Sequence, residues 1–366
     1  MNTPQEFGAL LEGFRRLEET GFAGGAALAT LVRTQGSTFR RAGARMLVSG
    51  EGWVVRGLSG GCPEADIIMR AYEVIAAGRP RLVRYDREHG LDTLLELGCG
   101  GELEVLIEPI TQRADLDFVG AVERCLRARQ PGFLATAYAS GGACLAPRPQ
   151  RLVWQEGAVH DEFADAGLRA AAIGHASNGA RGARPHVQNL DSASGPVQVL
   201  FEALLPPYAA VLIGVNAASL ALARIGIGLG WDVTLVDHRA DTQQPAALPT
   251  GAVLVSAPPA EVTQQVSLDS RSFAVVMTHN LERDTDYLRA LLDAPLGYLG
   301  AIGSRQRCAK LLAACGAEAA HVRAPAGLDL GSETPEEIAL AIAAEILAVS
   351  AGRTGGPLSA SAGPIH

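Results

Sequence analysis

The spacing of apolar residues changes along the chain and predicts two halves of different architecture. From residue 25 to 109, short apolar runs separated by glycine turns predict strands at AALATLVR, ARMLVS, WVVRGL, RLVRYD and LEVLIEP. Apolar residues at helical spacing predict a helix in the first twenty residues and another from about Pro63 to Ala77. Residues 1–110 are therefore predicted to form an α+β domain.

The second half alternates strands and helices. From residue 208 onward the segments AAVLIGV, DVTLVDH, GAVLVSA, FAVVMTH and GYLGAIG predict strands, with helical segments between them. Alternation of this kind specifies a doubly wound parallel sheet, so we predict a Rossmann-like domain over residues 205–350. Its last helix has clear start signals, with Thr334 as N-cap, Pro335 at the first helical position and Glu337 completing a capping box.

Two stretches have weaker patterns. Residues 111–130 look helical, but from about 140 to 195 the chain is rich in glycine, alanine, proline and polar residues. We therefore predict that 111–204 is a connecting region of weak pattern that contains one or two strands. Residues 351–366 have the small, polar composition of a disordered tail.

Composition narrows the classes of function. The chain has 366 residues, 48% of them hydrophobic and 19% charged, which is typical of a globular protein of two or three domains. A net charge of −8 argues against a general nucleic-acid or membrane-surface binder. The amphipathic start of the chain does not resemble a signal peptide, and we expect a cytoplasmic protein.

The cysteines fall into two groups. Six cysteines, at 62, 99, 125, 144, 308 and 315, include no C-x-x-C pair, so a structural metal site is not expected. The last four lie in alanine- and leucine-rich stretches, where cysteine acts as a small buried hydrophobe. Cys62 and Cys99 differ because glycines flank both of them.

The stretch GLSGGCPEADI suggests a reactive thiol at the start of a helix. Pro63 suits the first helical position, which makes Cys62 the N-cap, and the helix dipole there lowers a thiol pKa. Glu64 in the first turn opposes that effect. A tight turn whose small residues merely fit is the alternative. The candidate binding residues in this stretch are Ser59, Gly60, Gly61, Cys62 and Glu64.

A basic island and a second glycine-embedded thiol lie in the same domain. Between residues 30 and 60 there are five arginines and a single acid, Glu51. Arginines in a glycine-containing loop suit an anionic group such as phosphate, although a solvated charged face is the alternative. The candidate residues are Arg40, Arg41 and Arg45 in the island, and Cys99, Gly100 and Gly101 in ELGCGGELEV.

These blocks resemble a known family. GSTFRRAGARMLV, GLSGGCPEADI and LGCGGELEVLIEP are similar to signature blocks of the XdhC/CoxI family of molybdoenzyme maturation factors. In the second half, VVMTHNLERDTDYLRALL, YLGAIGSRQR and GLDLGSETPEEIALAIAAEIL resemble the family's C-terminal Rossmann domain. The resemblance covers about 30–109 and 208–347, in the family's order.

The resemblance implies a function. Members of the family bind molybdenum cofactor, a phosphorylated pyranopterin dithiolene, and help its sulfurated form reach an apo-enzyme such as xanthine or carbon monoxide dehydrogenase. It implies Cys62 as the candidate ligand to molybdenum or sulfur and Cys99 as a second thiol. The expected partners are a molybdenum hydroxylase apo-enzyme, a cysteine desulfurase and a second copy of the chain, with no nucleic acid and no membrane.

The Rossmann half departs from the dinucleotide fingerprint G-x-G-x-x-G. Gly214 is present, but Asn216 occupies the second glycine position and Ser219 the third. Since the second glycine lets the backbone approach a pyrophosphate, Asn216 argues against ordinary NAD(P) binding. Asp237 ends the second strand where a ribose-binding acid would lie, and a turn residue beside Arg239 is the alternative.

His279 lies at the carboxyl end of a predicted strand, where open α/β sheets place ligands. It is a candidate binding residue, with a structural histidine as the alternative.

The sequence leaves two functions open. The first is a cofactor-binding maturation chaperone, and the alternative is a nucleotide-dependent oxidoreductase that uses the Rossmann domain.

Overall fold

The computed structural model describes residues 4–36, 38, 40–58, 62–86, 101–156, 158–177, 184–239 and 248–360. The chain divides into two compact units, Met1–Pro206 and Pro207–His366, so the boundary falls within a pair of prolines. The fold class is the predicted one, an α+β half followed by a Rossmann-like parallel sheet.

The first unit begins with an antiparallel sheet whose strand order is β3-β2-β1-β5-β4. Helix α2 covers one face of this sheet, because alternate residues of the strands, among them Ala27, Leu31 and Val105, point toward it and are fully buried. The elements are α1 (Pro4–Glu19), β1 (Ala26–Gln35), β2 (Arg45–Ser49), β3 (Val54–Val55), α2 (Cys62–Ala77), β4 (Arg81–Tyr85) and β5 (Glu102–Ile110).

The region expected to connect the two halves is instead a second sheet, which corrects that expectation. Its strand order is β10-β11-β6-β8-β9, with β7 paired to β6. The pattern was weak because hairpin strands such as HVQNLDS carry polar residues on both faces. The elements are α3 (Asp117–Arg127), β6 (Gly132–Ser140), β7 (Ala143–Cys144), β8 (Gln150–Gln155), β9 (Ala158–Asp161), α4 (Ala166–Ser177), β10 (His186–Ser192) and β11 (Gly195–Leu204).

The two sheets of this unit share buried apolar clusters and two buried ion pairs. Arg45 of the first sheet pairs with Glu202 of the second, and Arg151 of the second pairs with Glu108 of the first. All four side chains are at most 3% exposed. Each sheet therefore supplies one cation and one anion to the interface, and the charges balance within it.

The second unit is a parallel sheet with strand order β14-β13-β12-β15-β16. The chain crosses from β14 to β15 on the other side of β12, so the switch point lies between β12 and β15. The elements are β12 (Ala209–Ile213), α5 (Ala217–Gly228), β13 (Asp232–Asp237), β14 (Ala252–Ser256), α6 (Val262–Gln265), β15 (Ser272–Val276), α7 (Leu281–Leu291), β16 (Tyr298–Ala301), α8 (Arg305–Cys315) and α9 (Pro335–Ser350).

The last helix, α9, starts as predicted. The Thr334 hydroxyl accepts from the Glu337 backbone N–H, and the Glu337 carboxylate accepts from the Thr334 backbone N–H. Beyond it, residues 351–360 are exposed and include a short 3₁₀ turn at Leu358–Ala360, while the rest of the expected tail lies outside the described residues. No described helix is long and apolar enough to cross a bilayer.

Candidate functional site

One end of the first sheet brings three distinctive segments together. Strand β1 ends at Gln35, directly opposite Glu102 at the start of β5. The loop of the basic island therefore leaves the sheet at the same end at which the chain returns from β4 into β5. Helix α2 begins there too, because the Tyr85 hydroxyl at the end of β4 donates to Asp66 Oδ2 in the second turn of α2, at 2.6 Å.

The backbone of Cys62 lies at the N-terminus of α2. The 16-residue helix spans Cys62–Ala77, so it starts one residue before Pro63, the predicted first position. The first N–H groups of a helix lack intrahelical partners and carry the positive end of the dipole. The predicted helix start is therefore found to within one residue, with Cys62 as the first helical residue and not as the N-cap.

Glu64 lies against the loop that precedes Cys62. A Cβ built on Gly57 would lie only 2.7 Å from Oε2 of Glu64, so this carboxylate occupies the space that any larger residue at Gly57 would need. The adjacent Arg56 has a φ of 63°, a left-handed conformation that is strained for a residue with a long side chain. Such strain persists where surrounding structure enforces it and is common in binding loops. The sequence carries no sign of this conformation.

Five of the predicted site residues, Ser59, Gly60, Gly61, Cys99 and Gly100, lie outside the described residues. Their neighbour Gly101 is buried and directly precedes β5.

The fold supplies acidic partners to the basic island. Arg40 forms an ion pair with Glu6 of α1, and both side chains are about one-fifth exposed. Arg33 lies 3.8 Å from Glu104 of β5. Arg41 is half-buried in the same loop as Arg40. The basic island is therefore less positive than its sequence suggests, because Glu6 and Glu104, which lie far from it in sequence, are close to its arginines in the fold.

Arg45 is engaged within the protein, which corrects its prediction as a ligand-binding residue. Its Nη1 and Nη2 atoms donate to the two carboxylate oxygens of Glu202 at 2.8 and 2.5 Å, and Nη1 also donates to the Gly43 carbonyl. Burial lowers the pKa of Arg45 to about 9, and Arg151 acts in the same direction. Because the side chain is only 3% exposed and is bidentately bound by Glu202, an anion from solvent does not reach it.

In the second unit, Asn216 fills the position where a dinucleotide would place its pyrophosphate. Its Oδ1 accepts from the backbone N–H groups of Ala218 and Ser219 in the first turn of α5, at 3.0 and 3.1 Å. Its Nδ2 donates to the Met277 carbonyl at 2.6 Å. Asn216 thus caps the helix that would bind phosphate and bridges the two strands of the switch point.

Gly214 allows the chain after β12 to pack closely against the backbone that follows β15. It has a φ of 100°, and a Cβ there would lie 3.1 Å from the backbone of Met277 and Thr278. The first glycine of the fingerprint is therefore retained for packing and backbone conformation.

Asp237 matches the turn alternative. Arg239 Nε and Nη2 donate to its two carboxylate oxygens at 3.0 and 2.8 Å, and the Arg239 backbone N–H donates to it as well. These hydrogen bonds from Arg239 lower the pKa of Asp237, against the opposing effect of burial. A ribose at this position would have to displace a bidentate arginine.

His279 is exposed three residues beyond the end of β15. The chain that follows it turns into α7, whose N-cap Asn280 accepts from the Arg283 backbone N–H at 2.9 Å. His279 is therefore accessible from solvent at the carboxyl edge of the sheet, as predicted, beside the bridged switch point.

The remaining cysteines fit the prediction of small hydrophobes. Cys125 and Cys308 are buried, Cys144 and Cys315 are half-buried, and none forms a disulfide. Burial raises the pKa of the Cys125 thiol, and burial with nearby Glu108 and Glu104 raises that of Cys144 to about 11. Among the described residues no cluster of three or more metal-ligating side chains is present.

Comparison with known proteins identifies the two halves independently. The sequence model of the XdhC and CoxI family matches residues 23–86, and that of the XdhC Rossmann domain matches residues 210–346. Together the two matches cover more than half of the chain.

Relatives and a solved structure extend over most of the chain. It is 27% identical over 324 residues to a probable xanthine dehydrogenase subunit from Bacillus subtilis, covering 88% of this chain and 92% of that protein. It is 24% identical over 332 residues to the molybdenum cofactor insertion chaperone PaoD of Escherichia coli, covering 89% and 83%. A crystal structure of a xanthine dehydrogenase from Bacillus halodurans shares the fold, with a TM-score of 0.74, 24% identity and coverage of 95% and 97%.

Proposed function

Because the chain belongs to the XdhC and CoxI family, we propose that it is a maturation chaperone that binds molybdenum cofactor as cargo. In this proposal it assists sulfuration of the cofactor and its insertion into a molybdenum hydroxylase of the xanthine or carbon monoxide dehydrogenase type. A cysteine desulfurase supplies the sulfur, the apo-hydroxylase receives the cofactor, and the working form is a homodimer. The similarity to PaoD, described as a molybdenum cofactor insertion chaperone, supports this role.

The observation that carries the proposal is the convergence at one end of the first sheet. The start of α2 with Cys62, the loop with Arg40 and the entry to β5 at Gly101 all lie there. A phosphorylated dithiolene cargo needs a group that binds the anion and a thiol that binds molybdenum or sulfur, and in this proposal the arginines and Cys62 supply them. Arg45 is not part of the proposed site, because Glu202 binds it.

The roles of the residues follow from their positions. We assign Cys62 to the molybdenum or its sulfur, since the helix start favours a thiolate. Arg40 and Arg41 bind the phosphate of the cargo, and Arg40 then exchanges Glu6 for the incoming anion. Glu64 positions the loop before Cys62 through its contact with Gly57. Cys99 contributes the second thiol of the site.

The oxidoreductase alternative has less support. A nicotinamide cofactor would need its pyrophosphate at the N-terminus of α5, where the side chain of Asn216 caps the helix. Asp237, the ribose-binding candidate, is bound by Arg239. We therefore place the chaperone first and expect no nucleotide-dependent turnover.

The proposal is tested with Cys62→Ala in the full chain. The purified protein and the variant are loaded with molybdenum cofactor, and retained cofactor is measured by the fluorescence of the released pterin. We expect Cys62→Ala to lose most of the cofactor with an unchanged circular dichroism spectrum, and Cys315→Ala, which removes a half-buried thiol elsewhere, to retain it. Equal retention by the Cys62 variant and the parent would contradict Cys62 as a ligand.

A further inference from the structure

The second unit contains a cavity away from the switch point of its sheet. The cavity has a volume of about 850 Å³, which is within the range of small-molecule sites. One wall is the turn from β16 into α8, with Ile302, Gly303 and Arg305, and the other is the loop 325–332 that leads to α9. Two separate sequence blocks of the Rossmann half, YLGAIGSRQR and GLDLGSETPEEIAL, therefore form one pocket.

The wall formed by the loop is held in place at its start. The Gly327 backbone N–H donates to Glu345 Oε2 of α9 at 2.7 Å, and the Tyr298 hydroxyl donates to the same oxygen at 2.6 Å. The Leu328 backbone N–H donates to the Ala341 carbonyl at 3.1 Å. Gly327 has a φ of 113°, and a Cβ there would lie 3.2 Å from that of Ala341, so the loop lies directly on the helix.

The end of the loop is held as well. The Ser332 hydroxyl donates to the Glu337 carbonyl at 3.2 Å, and the Glu337 carboxylate accepts from the Glu333 backbone N–H at 2.8 Å. The short segment between these anchors, which includes Asp329, therefore has a fixed course past the cavity. Because the loop is already ordered, little conformational entropy is lost when a ligand binds to the cavity.

The chemistry of the lining defines the ligand. Most lining side chains are apolar, among them Ala309, Leu312 and Ile338, and they offer a surface for a planar ring. Arg305 lies in one wall and Asp329 in the other, and both residues are exposed. Arginine suits a phosphate group, and a carboxylate accepts from adjacent ring N–H and amino donors.

We infer that this cavity binds a phosphorylated ring compound with adjacent N–H and amino donors, the edge shared by guanine and pterin. Arg305 binds the phosphate and Asp329 accepts from the donor edge, while the apolar residues contact the ring. The site differs from the dinucleotide position at the switch point, which Asn216 occupies, and from the cargo site proposed in the first unit.

The inference is tested by calorimetric titration of the full chain with GMP. AMP is the comparison nucleotide, because adenine lacks the adjacent ring N–H and amino donors of guanine. We expect saturable binding of GMP in preference to AMP. Arg305→Ala should weaken GMP binding at least about tenfold, by loss of a charge-assisted contact, and Arg224→Ala, an exposed arginine of α5, should leave it unchanged. Asp329→Asn should remove the preference for GMP, and Asp293→Asn is its matched control.

A steric variant and a second probe complete the test. Ala309 is an exposed residue of α8 that lines the cavity, so Ala309→Trp should abolish GMP binding without lowering the melting temperature. Titration with neopterin monophosphate distinguishes a pterin from a guanine. Whichever of neopterin monophosphate and GMP binds more tightly identifies the ring that the cavity prefers. Failure of both probes to bind, or equal binding by Arg305→Ala and the parent, would overturn the inference. Cys62→Ala must retain this binding, which separates the result from that on the cargo site.

Discussion

Asn216 and Met277 join the two strand ends between which a dinucleotide would lie. The side-chain amide of Asn216 donates to the Met277 carbonyl at 2.6 Å, and its oxygen caps α5. A single residue therefore occupies the anion position of the helix and closes the switch point, although the sheet around it has the topology of a nucleotide-binding domain.

The first prediction concerns that residue. We expect the parent protein to bind NAD with a dissociation constant of about 0.1 mM or weaker, which corresponds to no more than about 5.5 kcal/mol. Asn216→Gly exposes the N–H groups of Ala218 and Ser219 and should tighten binding, at a loss of about 1–2 kcal/mol in stability from the cap and the hydrogen bond to Met277. Calorimetric titration of both proteins measures the effect, with the exposed Asn189→Gly as control. Micromolar binding by the parent would instead favour the oxidoreductase alternative.

The second prediction concerns the anion site of the first unit. Each charge-assisted contact contributes about 1.5–3 kcal/mol, so Arg40→Ala with Arg41→Ala should weaken binding of molybdenum cofactor by well over tenfold. Pyrophosphate should compete with the cofactor for the parent protein. The double variant Arg15→Ala with Arg113→Ala, which removes exposed arginines paired with Glu123 and Glu18, is the control. Unchanged affinity of the Arg40 and Arg41 variant would show that these residues do not bind the cofactor.

The third prediction concerns the buried pair of Arg45 and Glu202. Removing one charge of such a pair leaves the other buried without a partner, so Glu202→Gln should lower the free energy of unfolding by about 3–5 kcal/mol. Arg45→Met combined with Glu202→Leu should recover most of that loss. The exposed pair of Arg81 and Glu73 is the reference, since Glu73→Gln should cost less than about 1 kcal/mol. Denaturant unfolding measures all of these, and a Glu202→Gln protein as stable as the parent would contradict the structural role of the pair.

The fourth prediction concerns pH. The Nε2 atoms of His175 in α4 and His186 in β10 are 2.8 Å apart, and both rings contact Phe201. Burial, and secondly the neighbouring His186, lower the pKa of His175. The folded protein therefore binds fewer protons at His175 than the unfolded chain, so the contribution of His175 to stability is present above about pH 6.5 and is lost as the pH falls below it.

The check on this pH effect is the melting temperature measured between pH 8 and pH 5. His175→Gln should show a flatter pH dependence than the parent, because it removes the group that must stay neutral. The exposed His279→Gln should follow the parent. Parallel curves for the parent and His175→Gln would contradict the effect.

The fold was predictable where local pattern and burial agree. The alternation of strands and helices from β12 to α9, the helix that begins at Cys62 and the capping box of Thr334 all follow from residue spacing and from turn and cap chemistry. The second sheet of the first unit was not predictable, because hairpin strands such as β10 carry polar residues on both faces and β11 pairs with the distant β6.

The sequence by itself determined that the chain has two architectures, that a thiol lies at a helix start and that Asn216 interrupts the dinucleotide fingerprint. These features depend on residues close together in the chain. Only the tertiary structure decided that Arg45 of the basic island pairs with Glu202 and that Arg40 pairs with Glu6. It also decided that the side chain of Asn216 donates to the Met277 carbonyl. Those outcomes depend on partners far apart in sequence, whose distances only folding sets. Burial then favours the pairing of these groups, because a buried charge or donor without a partner is costly.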